Sequence, residues 1–236
     1  MAEELHNLFF IKEEKIQNSK IILTGPEFHH IRNVLRKKSG ETIFFTDGKG
    51  HQYKTAIEQT LHNALIMKVL EKKKIIQERT VNLDLGLVSL KTGRTDLIVE
   101  KGTELGVRKF IFFISQYAVI RNLTPPRIEH FKKVALSATL QSQQYYLPEI
   151  ILTDDITNEF ANYDLVLVGD KNGKDKMTPG VMNILLLIGP EGGFSPQEIL
   201  TFLNKKAKLI SFGRNRLRSE TAALAGIVSI FSYYSQ

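Results

Sequence analysis

Ile184-Leu185-Leu186-Leu187-Ile188 runs into Gly189-Pro190-Glu191-Gly192-Gly193-Phe194-Ser195, and Leu209-Ile210-Ser211-Phe212 runs into Gly213-Arg214-Asn215-Arg216-Leu217-Arg218-Ser219-Glu220-Thr221-Ala222. Five consecutive apolar residues stopped by glycine read as a strand buried on both faces, the pattern of a central parallel strand. Ser195-Pro196-Gln197-Glu198 then opens a helix: serine caps it, proline takes the first position and Glu198 closes the capping box. Ser219 is placed to cap a second helix after the arginine loop. Strand, turn and helix, twice over, predict an α/β domain. Loops that follow its buried strands are where such a domain holds small molecules.

The glycine turn is neither G-x-G-x-x-G nor a P-loop, and no lysine follows its glycines. Glu191 inside it disfavours a phosphate, because two negative charges would be held close together. A ligand with a ribose or a positive centre fits better; the alternative is a plain strand–helix turn that binds nothing. Arg214, Arg216 and Arg218 crowd one short loop and repel one another unless an anion or a carboxylate partners them. RNA phosphate is one such partner, Glu191 or Glu220 another, and a solvated loop with local ion pairs is the alternative. The helix that follows, from Ala222 to Val228, is apolar around its circumference and has to be covered on every side. Its small residues at 222, 223, 225 and 226 permit close packing against this chain or a second copy.

Working outward, Val81–Leu90, Lys109–Ile114 and Asp164–Gly169 read as strands, and Arg94–Leu105 and Pro126–Gln143 as helices. Their alternation predicts a mostly parallel sheet covered on both faces. Residues 1–72 read differently, as short β segments (Lys20–Leu23, Thr42–Thr46, Gln52–Glu58, Ala64–Leu70) with a hairpin turn at Asp47-Gly48-Lys49-Gly50. One helix starts at a capping box, Thr24-Gly25-Pro26-Glu27, and runs to about Lys38, with Gly40 ending it. A small antiparallel barrel or sandwich is expected. Residues 73–79 make a charged linker and residues 80–236 the α/β domain.

The 236 residues carry a net charge of +7, spread over both halves, which favours an anionic partner such as nucleic acid. The absence of cysteine excludes disulfides, thiolate zinc sites and a cysteine nucleophile. No stretch approaches 18 apolar residues, and Met1–His6 lacks a basic-then-apolar signal, so a cytoplasmic protein without a membrane segment is expected. His29 and His30 are not a metal pair, since adjacent helical residues point apart and no third ligand is evident.

Four elements, in order, resemble the small-subunit rRNA uridine-N3 methyltransferases (RsmE type) of the SPOUT superfamily over nearly the whole chain. They are His29-His30-Ile31-Arg32-Asn33-Val34-Leu35-Arg36 with Ser39-Gly40-Glu41, then Lys91 with Glu100–Val107, then Ile188–Ser195, and last Leu217–Ala222. The resemblance implies a PUA-like β-barrel domain that binds RNA, followed by an α/β domain with a deep trefoil knot, S-adenosylmethionine held by the knot loops, and a homodimer. It places the cofactor at Val168, Gly169, Ile188, Gly189, Pro190, Glu191, Gly192, Gly193, Phe212, Gly213, Leu217 and Thr221. The substrate would be a uridine of 16S rRNA in the small ribosomal subunit. Leu140 and Gln144 stand where the family has glutamate and arginine, and Tyr117 where it has the arginine of Thr-x-Arg-Ser-Val. These departures bear on RNA contacts more than on the cofactor.

Within that resemblance, Arg216 or Arg218 would stabilise a developing uridinate or its phosphate. Glu220 would orient an arginine or take the N3 proton, unless it is only a helix-start carboxylate favoured by the dipole. On the N-terminal helix, Phe28, Ile31 and Leu35 form a core stripe. His29, Arg32 and Arg36, with Lys37, Lys38 and the distant Arg214, offer an RNA-contacting surface. Lys101 and Glu104 are either an ion pair or part of a site. Methylation of a ribose 2′-hydroxyl and a non-catalytic assembly role are the competing readings.

Overall fold

The structure, a computed structural model, describes residues 7–91 and 93–235. Met1–His6, read above for a signal, lies outside them. The chain makes two compact units: one ends at Gln77 and also takes in Thr139–Leu147, the other holds Glu78–Ala138 and the residues from Pro148 onward.

The first unit is a six-stranded sheet of β1 (Leu8–Phe10), β2 (Ile16–Gln17), β3 (Lys20–Leu23), β4 (Thr42–Thr46), β5 (His51–Thr60) and β6 (Leu65–Lys74) in the order β1-β4-β5-β6-β3-β2. All neighbours are antiparallel except β1 with β4. Period-two alternation turns Tyr53, Thr55 and Ile57 of β5 and Leu65 and Met67 of β6 inward. There they meet Ile21, Ile43, Phe45 and the helical stripe of Phe28 and Ile31.

The helix differs from the expectation. It is α1 (Gly25–His29) continued by one π turn, His30–Val34, and the Thr24 side chain makes no capping bond. Arg36 (φ +53°) turns the chain away, and Gly40 (φ +87°) instead shapes its return, where its amide donates to Ile57 O at 2.8 Å. β6 also runs on through Lys72 to Lys73 and Lys74, the last two read above as part of the linker. The lysines can continue a strand because their side chains find polar company: Lys72 Nζ binds Glu13 Oε1 at 2.6 Å and lies 5.3 Å from the Tyr53 ring centroid. Strands β1 and β2 are too short to show a period in sequence.

The Asp47–Gly50 turn is built as predicted, with Gly48 and Gly50 at positive φ. Buried Asp47 accepts from the Lys49 and His51 amides (2.8 and 3.2 Å), from His51 Nδ1 (2.7 Å) and from Tyr53 Oη (3.3 Å). Tyr145, Tyr146 and Leu147 complete the turn's surroundings: Gly50 N donates to Tyr145 O and Leu147 N to Gly48 O, both at 2.8 Å.

The second unit is a six-stranded sheet of β7 (Asn82–Val88), β8 (Lys109–Phe113), β9 (Glu149–Leu152), β10 (Leu165–Gly169), β11 (Asn183–Ile188) and β12 (Lys208–Ile210), ordered β12-β10-β11-β7-β8-β9 and parallel at every pairing. The helices are α2 (Arg94–Glu104), α3 (Pro125–Gln141), α4 (Pro196–Asn204) and α5 (Ser219–Tyr234). β9 is the strand the sequence reading missed. α5 is covered by this chain on one face only: Ala223, Gly226, Ile227 and Ile230 are buried, while Val228 and Tyr233 are exposed. Gly226 lets α5 lie flush on the sheet, because a Cβ there would come 2.7 Å from Leu186 Cδ2 and 2.9 Å from Phe212 Cε2. The segment after β10 runs tightly along β12, where a Cβ at Gly173 would come 2.5 Å from Ile210 N.

Asp84, in the sheet on β7, is fully buried and bound by Arg108 Nε (2.9 Å) and Nη2 (2.7 Å) and by Tyr163 Oη (2.7 Å). Burial and the neighbouring carboxylate push the Tyr163 hydroxyl up from its ordinary range. Arg108→Leu leaves that carboxylate buried with one donor and is expected to cost about 3–5 kcal/mol in urea unfolding, whereas the double variant Asp84→Leu/Arg108→Leu recovers most of it. Asp47 predicts a pH effect. Burial opposes its ionisation, but the Lys49 amide and the His51 ring and amide outweigh burial and hold its carboxyl below the ordinary range. A depressed native pKa gives stability that is present above about pH 4 and lost as pH falls through the native value. The stability gap between the natural chain and Asp47→Asn should therefore be about 1–2 kcal/mol at pH 6 and close toward pH 3.

Candidate functional site

Three adjacent strands, β12, β10 and β11, end at the same edge of the second sheet, and the loops that leave them enclose a cavity of about 580 Å³. Ligand cavities of this size at the carboxyl ends of parallel strands are the rule in α/β domains. β10 contributes Gly169, Asp170 and Lys171; β11 contributes Ile188 and the glycine turn; β12 leads to Phe212, Gly213, Leu217 and the arginines.

The glycine turn is fixed by its own bonds. Gly193 N donates to Pro190 O at 2.8 Å with Gly193 at φ +75°. A Cβ at Gly189 would stand 3.2 Å from the Gly193 carbonyl carbon, so any side chain there would press the turn open by a few tenths of an ångström. The capping box forms as read: Ser195 Oγ accepts from Glu198 N and Glu198 Oε2 from Ser195 N. α5 is not capped by Ser219. Arg218 holds the cap position with no side-chain bond, and Ser219 is buried as the first helical residue.

Among the residues proposed to hold a cofactor, Gly169, Ile188, Gly189, Pro190, Glu191, Gly192, Gly193, Phe212, Gly213 and Leu217 line the cavity, as do Arg216 and Arg218. Val168 is fully buried within the sheet and Thr221 is exposed on α5; neither lines the cavity. Arg214 is exposed in the same loop but outside the lining.

Arg94 is the residue the sequence reading passed over. Its Nη1 binds Glu191 Oε1 at 3.0 Å and its Nε lies 3.6 Å from Glu220 Oε1, so one guanidinium joins the glycine turn to the first turn of α5. The signal was there: a cation as the first residue of a helix opposes the dipole and asks for a tertiary reason. Arg216 Nη2 donates to Glu191 O at 3.0 Å. Glu220 Oε2 is buried and has no hydrogen-bond partner among the described residues.

The basic residues of the first unit are partly committed within it. Arg32 Nη1 donates to Leu61 O and His62 O at 3.2 Å and its guanidinium lies over Phe28; Lys37 binds Glu41 at 3.1 Å; His29 Nδ1 meets Asn33 at 3.4 Å. Arg36 and Lys38 are exposed. Lys101 pairs with Glu100 and Glu104 at 2.7 and 2.8 Å on α2, away from the cavity lining. Among the described residues there is no group of three His, Asp or Glu that could hold a metal, and no helix long and apolar enough to cross a membrane.

Residues 77–231 match the RNA methyltransferase domain family and residues 23–69 the RNA methyltransferase PUA domain. The Ribosomal RNA small subunit methyltransferase E of Rickettsia conorii is 29% identical over 236 residues, 95% of each chain. The crystal structure of the protein of that name from Neisseria gonorrhoeae, bound to S-adenosyl methionine, superposes with a TM-score of 0.83 at 22% identity, covering 96% of this chain and 97% of that one. A probable rRNA-methyltransferase from Porphyromonas gingivalis gives 0.80 at 26% identity, covering 97% and 98%.

Arg94→Met is expected to loosen the glycine turn without unfolding the chain. Hydrogen exchange in a peptide spanning residues 189–194 should quicken while β11 stays protected, and global stability should fall by less than about 1 kcal/mol because the pair is partly exposed.

Proposed function

Because the chain belongs to the RNA methyltransferase family, we propose that it transfers a methyl group from S-adenosylmethionine to N3 of a uridine in small-subunit (16S) ribosomal RNA. The observation that carries the reading is the cavity at the ends of β10, β11 and β12, walled by bare glycine backbone, apolar side chains, the carboxylates Asp170 and Glu191 and the cations Arg94, Lys171, Arg216 and Arg218. That lining fits the proposed donor: backbone and Glu191 suit a ribose-bearing cation, Ile188, Phe212 and Leu217 offer apolar walls, and no P-loop lysine is present. The names of the relatives and the S-adenosyl methionine in the Neisseria neighbour agree with it.

When bound, S-adenosylmethionine supplies an electrophilic methyl group on a sulfonium. The rest falls to the chain's own residues. Uridine N3 must lose its proton before its lone pair can attack, and Glu220, with a buried Oε2 lacking a protein partner, is the proposed acceptor. Arg94 serves Glu191 and Glu220 together and so holds the acceptor in place beside the donor cavity. Arg218 would stabilise the uridinate and Arg216 the adjoining phosphate, while Val168 and Thr221 would act behind the cavity wall. Alignment of the two reactants supplies much of the acceleration.

The first unit, with His29, Arg32, Arg36, Lys37 and Lys38, and Arg214 of the second would bear on the RNA backbone. RNA binding would fall mainly to residues 1–72 and methyl transfer to residues 80–236, joined by residues 73–79, of which Lys73 and Lys74 also end β6. The open flank of α5 suits a second copy of the chain, and the tight passage of Gly173 along β12 suits a knotted path. Such an enzyme would work in the cytoplasm.

Mass spectrometry of ribosomal RNA from cells with and without the gene should reveal the loss of a single 3-methyluridine; an unchanged uridine-N3 profile would refute the assignment. Glu220→Gln should lower kcat by about 10²–10⁴ with S-adenosylmethionine affinity intact by calorimetry. Full activity in that variant removes Glu220 as the base.

A further inference from the structure

We propose that the ring of Tyr117 is the platform on which the target uracil stacks beside the methyl-donor cavity, an inference that rests on the function proposed above. Tyr117 follows β8 and is 46% exposed. It also stands beside the glycine turn: a Cβ built on Gly192 would meet Tyr117 Cβ at 3.5 Å and Cδ2 at 3.7 Å. An open aromatic side chain therefore borders a residue of the cavity wall.

The ring is presented by a braced backbone. Ser115 and Ala118, on either side, are buried, and Ala118 N donates to Ser115 O at 3.0 Å. Gln116 N donates to Glu198 Oε1 at 3.0 Å, which ties the segment to the capping box of α4, and Arg121 Nη2 donates to Gln116 O at 2.9 Å. One residue before Gly192, the carbonyl of Glu191 holds the exposed guanidinium of Arg216. A π surface and a cation thus adjoin successive residues of one turn, which together match a base and its phosphate.

Enzymes that modify a base atom take the nucleotide out of its stack and receive it against aromatic side chains. Stacking uses the faces of uracil and leaves its N3 edge free for the reaction. The platform would act mainly on RNA affinity, since base–aromatic stacking is worth roughly ten- to a hundredfold in binding.

The chain has no tryptophan, so Tyr117→Trp places a single indole at the platform. Ribosomal RNA extracted from cells lacking the gene should quench its emission, and S-adenosylmethionine alone should not. With small subunits from the same cells, Tyr117→Ala should raise the KM for RNA roughly ten- to a hundredfold, and Tyr117→Phe should restore it. S-adenosylmethionine affinity by calorimetry should be the same in all variants. Emission indifferent to RNA overturns the proposal, as does quenching by S-adenosylmethionine alone together with loss of its binding in Tyr117→Ala, which would put the ring in the donor site. If the unaltered chain binds S-adenosylmethionine and methylates N3 while the indole stays silent, only the platform falls. If the unaltered chain binds no S-adenosylmethionine, the proposed function falls with it.

Discussion

Parallel pairing governs the second unit. Strands that all point one way cannot be joined by tight hairpins, so each connection crosses over the sheet and every strand discharges its following loop at the same edge. β10, β11 and β12 are neighbours, and their three loops converge without any loop having to reach far. The cavity is a product of strand order. Glycines mark all three loops: Gly169, Gly189 and Gly213 line the cavity, and a Cβ at Gly169 would come 3.0 Å from Ile188 Cδ1 and one at Gly189 3.2 Å from the Gly193 carbonyl carbon.

One residue of that enclosure, Arg94, links two carboxylates. Glu191 lies in the loop after β11 and Glu220 in the first turn of α5, and without Arg94 the two carboxylates would have no common counter-ion. A guanidinium can serve both because its nitrogens lie in a planar fork with separate donors. An ammonium at the same place would have to choose. The arginine loop uses the turn differently: Arg216 takes a main-chain carbonyl and leaves the Glu191 carboxylate to Arg94.

How much of this could be read from the residues depended on how local each signal was. The Ser195–Glu198 box, the Asp47–Gly50 turn and the apolar β11 are set by neighbours within a few positions, and they formed as read. The first helix starts at Thr24-Gly25-Pro26 as read, but Gly40 misled as its stop: the helix ends at Val34, past the Phe28 and Ile31 that seat in the core. Ser219 has cap chemistry, but burial drew it into the helix. Arg94 went unseen because its partner Glu191 is 97 residues distant. The covered and open sides of α5 could not be told apart from an all-apolar string, since periodicity carries no contrast there.

The return of Thr139–Leu147 to the first unit has a practical consequence for anyone dividing the molecule. The chain passes between the units at residues 77–78, 138–139 and 147–148, so the first unit is discontinuous in sequence. A fragment ending at Gln77 would lose the Tyr145 carbonyl that receives Gly50 N and the Leu147 amide that reaches Gly48 O. It would also lose the Tyr146 ring, whose Cζ lies 2.2 Å from where a Gly50 Cβ would stand. The natural cut, one that keeps every bond of the turn, would carry residues 139–147 along on a short artificial linker.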